Sequence, residues 1–232
     1  MTLDLADAAS GFAAALSPIP RHKTAAEQVE DRLIIAIARG DKQPGERLTE
    51  AEISGALDVS RVPAREAMQK LLLRGILEES GQRGLRVADY SVRRIEELIE
   101  LRFAVERIFF HQVMRAGFDR APLLAALDEI LEEMGALSGV GDPVELSAID
   151  LRFHRAIAVH SGNVLATRIW EGLAQHMIIV FCRDWSNAAD RTGELELHRK
   201  LVCFLRDGDA ADIDDVLRDH FTGPDARLAI KS

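Results

Sequence analysis

The chain has 232 residues, 47% of them apolar, enough to bury the core of one large domain or two small ones. A formal net charge of −9 excludes a protein that coats nucleic acid indiscriminately, and no stretch approaches the roughly 20 uninterrupted apolar residues of a membrane span. Cys182 and Cys203 lie in apolar helical patterns and read as buried free thiols of a reducing cytoplasm, so a cytoplasmic protein without membrane contact is expected.

Residues 1–22 read as an N-terminal arm, Ala-rich and closed by Pro18 and Pro20, with Asp4 and Asp7 where a signal peptide carries positive charge. A first domain is expected over 23–90. From Thr24, the residues Val29, Leu33, Ile34, Ile37 and Ala38 make one apolar helical face that stops at Arg39-Gly40. Gln43-Pro44-Gly45 is a turn and Leu48 a short apolar anchor. Thr49 and Glu52 have the spacing of a capping box and open a short helix through Ile53 and Leu57. Asp58-Val59 leads tightly into the next helix, with Ser60 as its N-cap and Pro63 in its first turn.

That helix carries the chemistry of the first half. Ala67, Met68, Leu71 and Leu72 turn one face inward, while Arg61 and Arg65, four apart, lie on another. Residues 61–75 hold Arg61, Arg65, Lys70 and Arg74 against Glu66 alone, a local excess of cations in an acidic chain. Arginines on the first turns of an amphipathic helix suit the major groove of DNA; a solvated basic face is the alternative. Two short extended runs follow, Ile76–Glu79 and Leu85–Ala88, joined by a Gly-rich turn with Arg83 beside Gly84 at its tip. A hairpin after a helix-turn-helix is a wing, and a cation on a slim tip can approach a minor groove.

Three linked stretches, Pro44–Glu50, Val59–Ala67 and Arg83–Val87, closely resemble the winged-helix domain of GntR-family transcription regulators in order and spacing. The resemblance covers about residues 24–90. It implies that Arg47, Ser60, Arg61, Val62, Pro63, Arg65 and the Arg83-Gly84 tip face double-stranded DNA. Leu72-Leu73 depart from the family's usual charged residues and suggest extra packing against a second domain.

Asp89-Tyr90-Ser91 connects to a second domain, expected over 91–221 and read as consecutive helices. They begin near Ser91, Pro122, Pro143, Asn163, Asp190 and Asp209, and their short loops predict an antiparallel all-α bundle. Asp150 and His154 stand i, i+4 on one helix face. His198 precedes Gly208 by ten residues and His220 follows it by twelve, roughly 15 and 18 Å along their helices, so a hairpin brings both imidazoles level. Three histidines and a carboxylate could hold a divalent ion with positions left open; histidines that are merely hydrogen-bonded are the alternative. The aspartates between Asp207 and Asp215 lack the register of a calcium loop. His111, His160 and His176 have no evident partner, and Trp170 and Trp185 read as core. Residues 222–232 read as a tail.

Asp150–His154, Ser161-Gly162-Asn163, Leu197-His198-Arg199, Gly208-Asp209 and Arg218-Asp219-His220 together resemble the FCD ligand-binding domain of the FadR-like subgroup over about residues 91–221. The resemblance implies a divalent metal of the Zn, Ni or Mn class held by Asp150, His154, His198 and His220. It also implies that Arg102 anchors an effector carboxylate, against the alternative of a surface ion pair with Glu106. Asn163 either faces the pocket or caps a helix.

The fold class expected is therefore mainly α, a winged helix-turn-helix followed by a helical bundle. The expected function is transcription regulation by a homodimer on a palindromic operator, modulated by a small organic acid, and not enzymatic. The alternatives are a metal-dependent hydrolytic enzyme and a structural-metal binding module using the same Asp/His site.

Overall fold

The computed structural model describes residues 23–222, apart from 82–83, 138–140 and 188–191 and the side chains of 184–187 and 192. The expected arm, Arg83 at the wing tip, the Trp185 side chain and the tail beyond Thr222 lie outside the described residues.

Thr24 opens α1 (Ala25–Arg39) with a complete capping box: its hydroxyl accepts from the Glu27 amide, and the Glu27 carboxylate accepts from the Thr24 amide. Gly40 ends the helix at a φ of 83°, a left-handed conformation that suits glycine. β1 (Arg47–Leu48) and α2 (Glu50–Leu57) follow. Only half of the second expected capping box forms. The Thr49 hydroxyl accepts from the Glu52 amide, but the Glu52 carboxylate turns to Lys42 Nζ at 2.6 Å. α3 (Arg61–Leu73) begins after Ser60, which has the backbone of an N-cap but makes no side-chain capping bond.

The wing is larger than the sequence suggests. β2 (Leu77–Glu79) and β3 (Leu85–Val87) pair antiparallel, and β1 joins the other edge of β3 with Leu48 opposite Leu85. Leu48 is thus a strand residue as well as a core anchor. A two-residue strand has no periodicity to announce it, so pairing with β3 alone reveals it.

The second domain comprises α4 (Val92–Val113), α5 (Ala121–Leu137), α6 (Pro143–His160), α7 (Val164–Asn187) and α8 (Thr192–Asp207), then a 3₁₀ turn (Ala210–Asp212) and α9 (Ile213–Thr222). α6 is packed by α4, α5 and α7, and α9 lies against α4 and α8. The fold is mainly α, a winged helix-turn-helix followed by an all-α bundle. α1 lies between α3 and α7, so the first helix of one domain is also packed on the other.

Two expectations fail here. Leu73 is 86% exposed and so does not pack on the bundle, and Leu72 lines the first domain's own groove; α1 provides the main packing between α3 and α7. Cys182 is buried, but Cys203 is exposed on the outer face of α8.

Candidate metal centre and nucleic-acid face

α3 shows its basic face to solvent because Ala64, Ala67, Met68 and Leu71 take the opposite face into the core. Ser60, Arg61, Val62 and Arg65 are exposed and Pro63 is half-buried. Val62, at 63% exposure, is an apolar side chain presented to water on the first turn. Arg47 and Gly84 line the same groove as Arg61 and Arg65. Gly84 has a φ of 140°, and a Cβ built there would meet Arg47 Nε at 2.8 Å, so only glycine lets the Arg47 guanidinium lie across the wing base. Arg65 makes a two-pronged ion pair with Glu50 of α2, Nε to Oε1 at 2.8 Å and Nη2 to Oε2 at 3.1 Å. These hydrogen bonds lower the Glu50 carboxyl below its usual range. The pair is exposed, so its strength in water is small and its partners can be exchanged.

The second site is buried in the bundle. Asp150 and His154 project from α6, His198 from α8 and His220 from α9, and the structure brings all four together. His198 Nε2 lies 3.0 Å from Asp150 Oδ1, and His154 Nε2 lies 3.9 Å from the same oxygen. His220 Nε2 is 3.3 Å from His154 Nε2. Ring nitrogens of the three histidines lie within 4.8 Å of one another. Their other nitrogens fix two of the rings: His154 Nδ1 contacts Glu106 Oε2 at 2.6 Å, and His198 Nδ1 contacts the Glu194 carbonyl at 2.7 Å. Each leaves Nε2 turned into the cluster, as in metal sites where a carboxylate or carbonyl orients the ligating ring.

A divalent ion fits the residues present. His198 Nε2 sits near Asp150 but off the line of a hydrogen bond, and His220 Nδ1 has no partner, so two buried ring nitrogens are orphaned. Burial lowers the pKa of His154 and drives that of His220 well down, with the neighbouring histidines adding to the effect on His220. Both shifts favour the neutral form that binds a metal, whereas burial at His198 is outweighed by Asp150, which raises its pKa. Desolvation opposes ionisation of Asp150, but Arg102 and the two histidines outweigh it and hold its carboxyl well below the usual range. A nitrogen-rich set with one carboxylate suits a first-row transition ion or zinc.

Arg102 is 2% exposed, and the ion pair with Glu106, weighed as a surface alternative to anchoring a carboxylate, forms but is buried. Its Nε donates to Glu106 Oε1 at 2.7 Å, and its Nη2 reaches Asp150 Oδ2 at 3.5 Å. The guanidinium lies 4.8 Å from the Phe221 ring centre and 5.4 Å from that of Phe181. Asn163 stands apart from this network. Its Oδ1 accepts from the Ala166 amide at 3.1 Å, an N-cap of α7, because a residue at the helix start satisfies orphan amides before it can turn to a ligand.

Sequence reasoning missed the residue at the centre. Glu106 accepts from Arg102 and from Trp170 Nε1 at 2.7 Å, and contacts His154. Burial raises its pKa, but His154 and Arg102 prevail and bring it to about 2. The i, i+4 spacing of Arg102 and Glu106 was the available signal. Nothing in the sequence joins Trp170 to them.

The description "Bacterial regulatory proteins, gntR family" matches residues 25–87, and "FCD domain" matches residues 97–223. The chain is 27% identical over 197 residues to a probable D-xylose utilization operon transcriptional repressor of Paenarthrobacter nicotinovorans, covering 85% of each. A putative GntR transcriptional regulator from Rhodococcus sp. RHA1 superposes with a TM-score of 0.70 at 25% identity, over 89% of this chain and 98% of that one. Escherichia coli McbR/YncC shares the fold, with a TM-score of 0.69 at 21% identity over 86% and 94%. No helix among the described residues is long and apolar enough to cross a membrane. The FCD match spans more than half of the chain, so the protein belongs to the FCD family and carries a gntR-type helix-turn-helix domain before it, which makes it a transcriptional regulator of the GntR/FCD type.

Proposed function

We propose that this regulator binds a palindromic operator as a cytoplasmic homodimer, and that a small organic acid, bound in a metal-containing pocket of the bundle, modulates its grip. The domains are taken as 23–90 for DNA binding and 91–221 for effector binding, with an arm before and a tail after. Arg47, Ser60, Arg61, Val62, Pro63, Arg65, Arg83 and Gly84 form the DNA surface in this reading. One recognition helix reads few base pairs, so a two-fold dimer on two half-sites supplies the remaining specificity.

Asp150, His154, His198 and His220 would hold a divalent ion of the Zn, Ni or Mn class. The observation that carries this reading is the convergence of buried ring nitrogens, two of them orphaned, beside one ionised carboxylate. A bound ion supplies a fixed positive centre for a carboxylate ligand. Nη1 of Arg102 makes no hydrogen bond among the described residues and Nη2 only a long one, 3.5 Å to Asp150, so this edge of the guanidinium is where an effector carboxylate would pair. Asn163, engaged as a cap, is left out of the effector set.

Genomic fragments selected on the purified protein at near-physiological salt, then sequenced, test the first part. Enrichment of one short palindrome is expected, and a flat profile with and without added metal would remove the operator reading. Metal content tests the second: His198→Ala should lose the ion found with the wild-type chain. Unaltered stoichiometry would take His198 out of the site.

A further inference from the structure

The recognition helix ends inside the junction between the domains. Arg74, the C-cap of α3, donates through Nη1 to Glu30 Oε1 of α1 and, at 2.7 Å, to Gln175 Oε1 of α7. Gln175 Nε2 closes the triangle on Glu30 Oε1 at 2.9 Å. Glu30 is only 4% exposed, so this carboxylate is held by hydrogen bonds and not by water. The next residue of α7, His176, places Nε2 2.8 Å from the Arg74 carbonyl, which can only accept. Nε2 therefore carries the proton, and Nδ1 accepts from the Tyr90 hydroxyl at 3.0 Å. Arg94 of α4 donates to the Gly75 carbonyl and stands 5.6 Å from the Tyr90 ring centre. Side chains of the bundle thus satisfy the backbone where the recognition helix stops.

The same α7 enters the buried site. Trp170, five residues before Gln175 and about 7.5 Å away along the helix axis, donates to Glu106, the carboxylate that contacts His154 and holds Arg102. We infer that Trp170, Gln175 and His176 form a relay on α7, through which the occupancy of the Asp/His site sets the position of the recognition helix. This rests on the reading of that site as ion-binding. α7 is one uninterrupted helix, so a shift of Trp170 against Glu106 is carried to Gln175 and His176. Hydrogen bonds at a part-buried junction break instead of stretching, which gives the helix end two arrangements and not a continuum. An ion alters operator affinity to the extent that it binds these arrangements unequally. The three are positioning residues, since none touches DNA or the ion-binding nitrogens.

The test uses the full chain and the DNA fragment that the wild type selects. Trp170→Phe keeps an aromatic ring while removing the donor to Glu106 together with part of a buried indole, and Gln175→Leu, remote from that cavity, controls for the lost volume. Amide exchange over residues 70–76, operator affinity with Zn²⁺ and with EDTA, and zinc content are measured together. The relay predicts several-fold faster exchange over 70–76 in Trp170→Phe, a Zn²⁺/EDTA affinity ratio that collapses towards one, and zinc content equal to wild type. Gln175→Leu, at a half-buried position, supplies the same affinity ratio should Trp170→Phe fail to fold. Unchanged exchange in Trp170→Phe, or an affinity ratio kept at the wild-type value in either variant, overturns the relay. A wild type that binds zinc yet holds operator equally in both states also overturns it and leaves the ion site standing. A wild type that takes up none of Zn²⁺, Ni²⁺ and Mn²⁺ sinks the ion reading, and the relay of its occupancy falls with it.

Discussion

Arg65 and Arg102 are both held by a glutamate through Nε, yet they do opposite things. The Arg65–Glu50 pair stands in water on the exposed face of α3, with side chains 64% and 34% exposed. Solvent screens it, and another anion can take Glu50's place at little cost. The Arg102–Glu106 pair is 3% and 1% exposed, and each partner has further obligations to Asp150, His154 and Trp170. Removing one member strands the others in a low dielectric. An exposed arginine pair leaves its cation free to exchange one anion for another; a buried one builds a rigid floor beneath a polar site.

The sharpest break between the two regions is a matched pair of truncations. Glu106→Ala should destabilise the fold by about 3–5 kcal/mol, because Arg102 and His154 lose their buried carboxylate. Glu50→Ala should leave stability nearly unchanged. Urea unfolding of both variants measures this, and equal midpoints would mean that the buried cluster is far less coupled than its geometry indicates. Operator binding reverses the ranking. Arg65→Ala should weaken affinity by about ten- to a hundredfold with its unfolding midpoint preserved; retained affinity would show that Arg65 belongs to Glu50 and not to DNA.

Gly84→Ala sharpens the exposed side. The left-handed φ and the displaced Arg47 should cost about 1 kcal/mol of stability, with weaker operator binding from a disturbed wing base. An alanine variant as stable as wild type would show that the wing gives way freely. The smallest effect concerns the junction. Burial lowers the pKa of His176 from its ordinary 6.5, the Arg74 carbonyl opposes this and Arg94 adds to it. A lowered folded pKa means that the unfolded chain binds more protons, so this contribution to stability is complete above about pH 6.5 and is lost as pH falls below it. Thermal unfolding of His176→Gln should show a shallower decline below that pH than wild type. Parallel curves would exclude His176 as a source of the dependence.

Local rules carried the sequence far in some places and failed in others for identifiable reasons. The α1 capping box and its glycine stop lie within a few residues of the elements they close, and the structure reproduces them. The Thr49–Glu52 box has the same spacing, but Lys42 outcompetes half of it. Asp150 and His154 were recognisable as neighbours by helical spacing, and His198 and His220 by similar distances from one turn. Heights along two helices do not specify which way a ring faces, and those directions come from Glu106 and the Glu194 carbonyl.

Periodicity, caps and turn residues by themselves determined the helix-turn-helix, most of the wing and the helical bundle, because each rests on interactions between near neighbours or on repeats along one helix. For the candidate ligand quartet, spread over three helices, spacing could only nominate the residues. Tertiary structure alone decided that Arg102 is buried, that Glu106 is the hub of the polar site, that Leu73 is left in water, and that Gln175 and His176 meet the end of the recognition helix. Those facts join residues separated by 48 to 145 positions. A hydrogen bond across that span depends on how whole helices pack, and no local pattern encodes it.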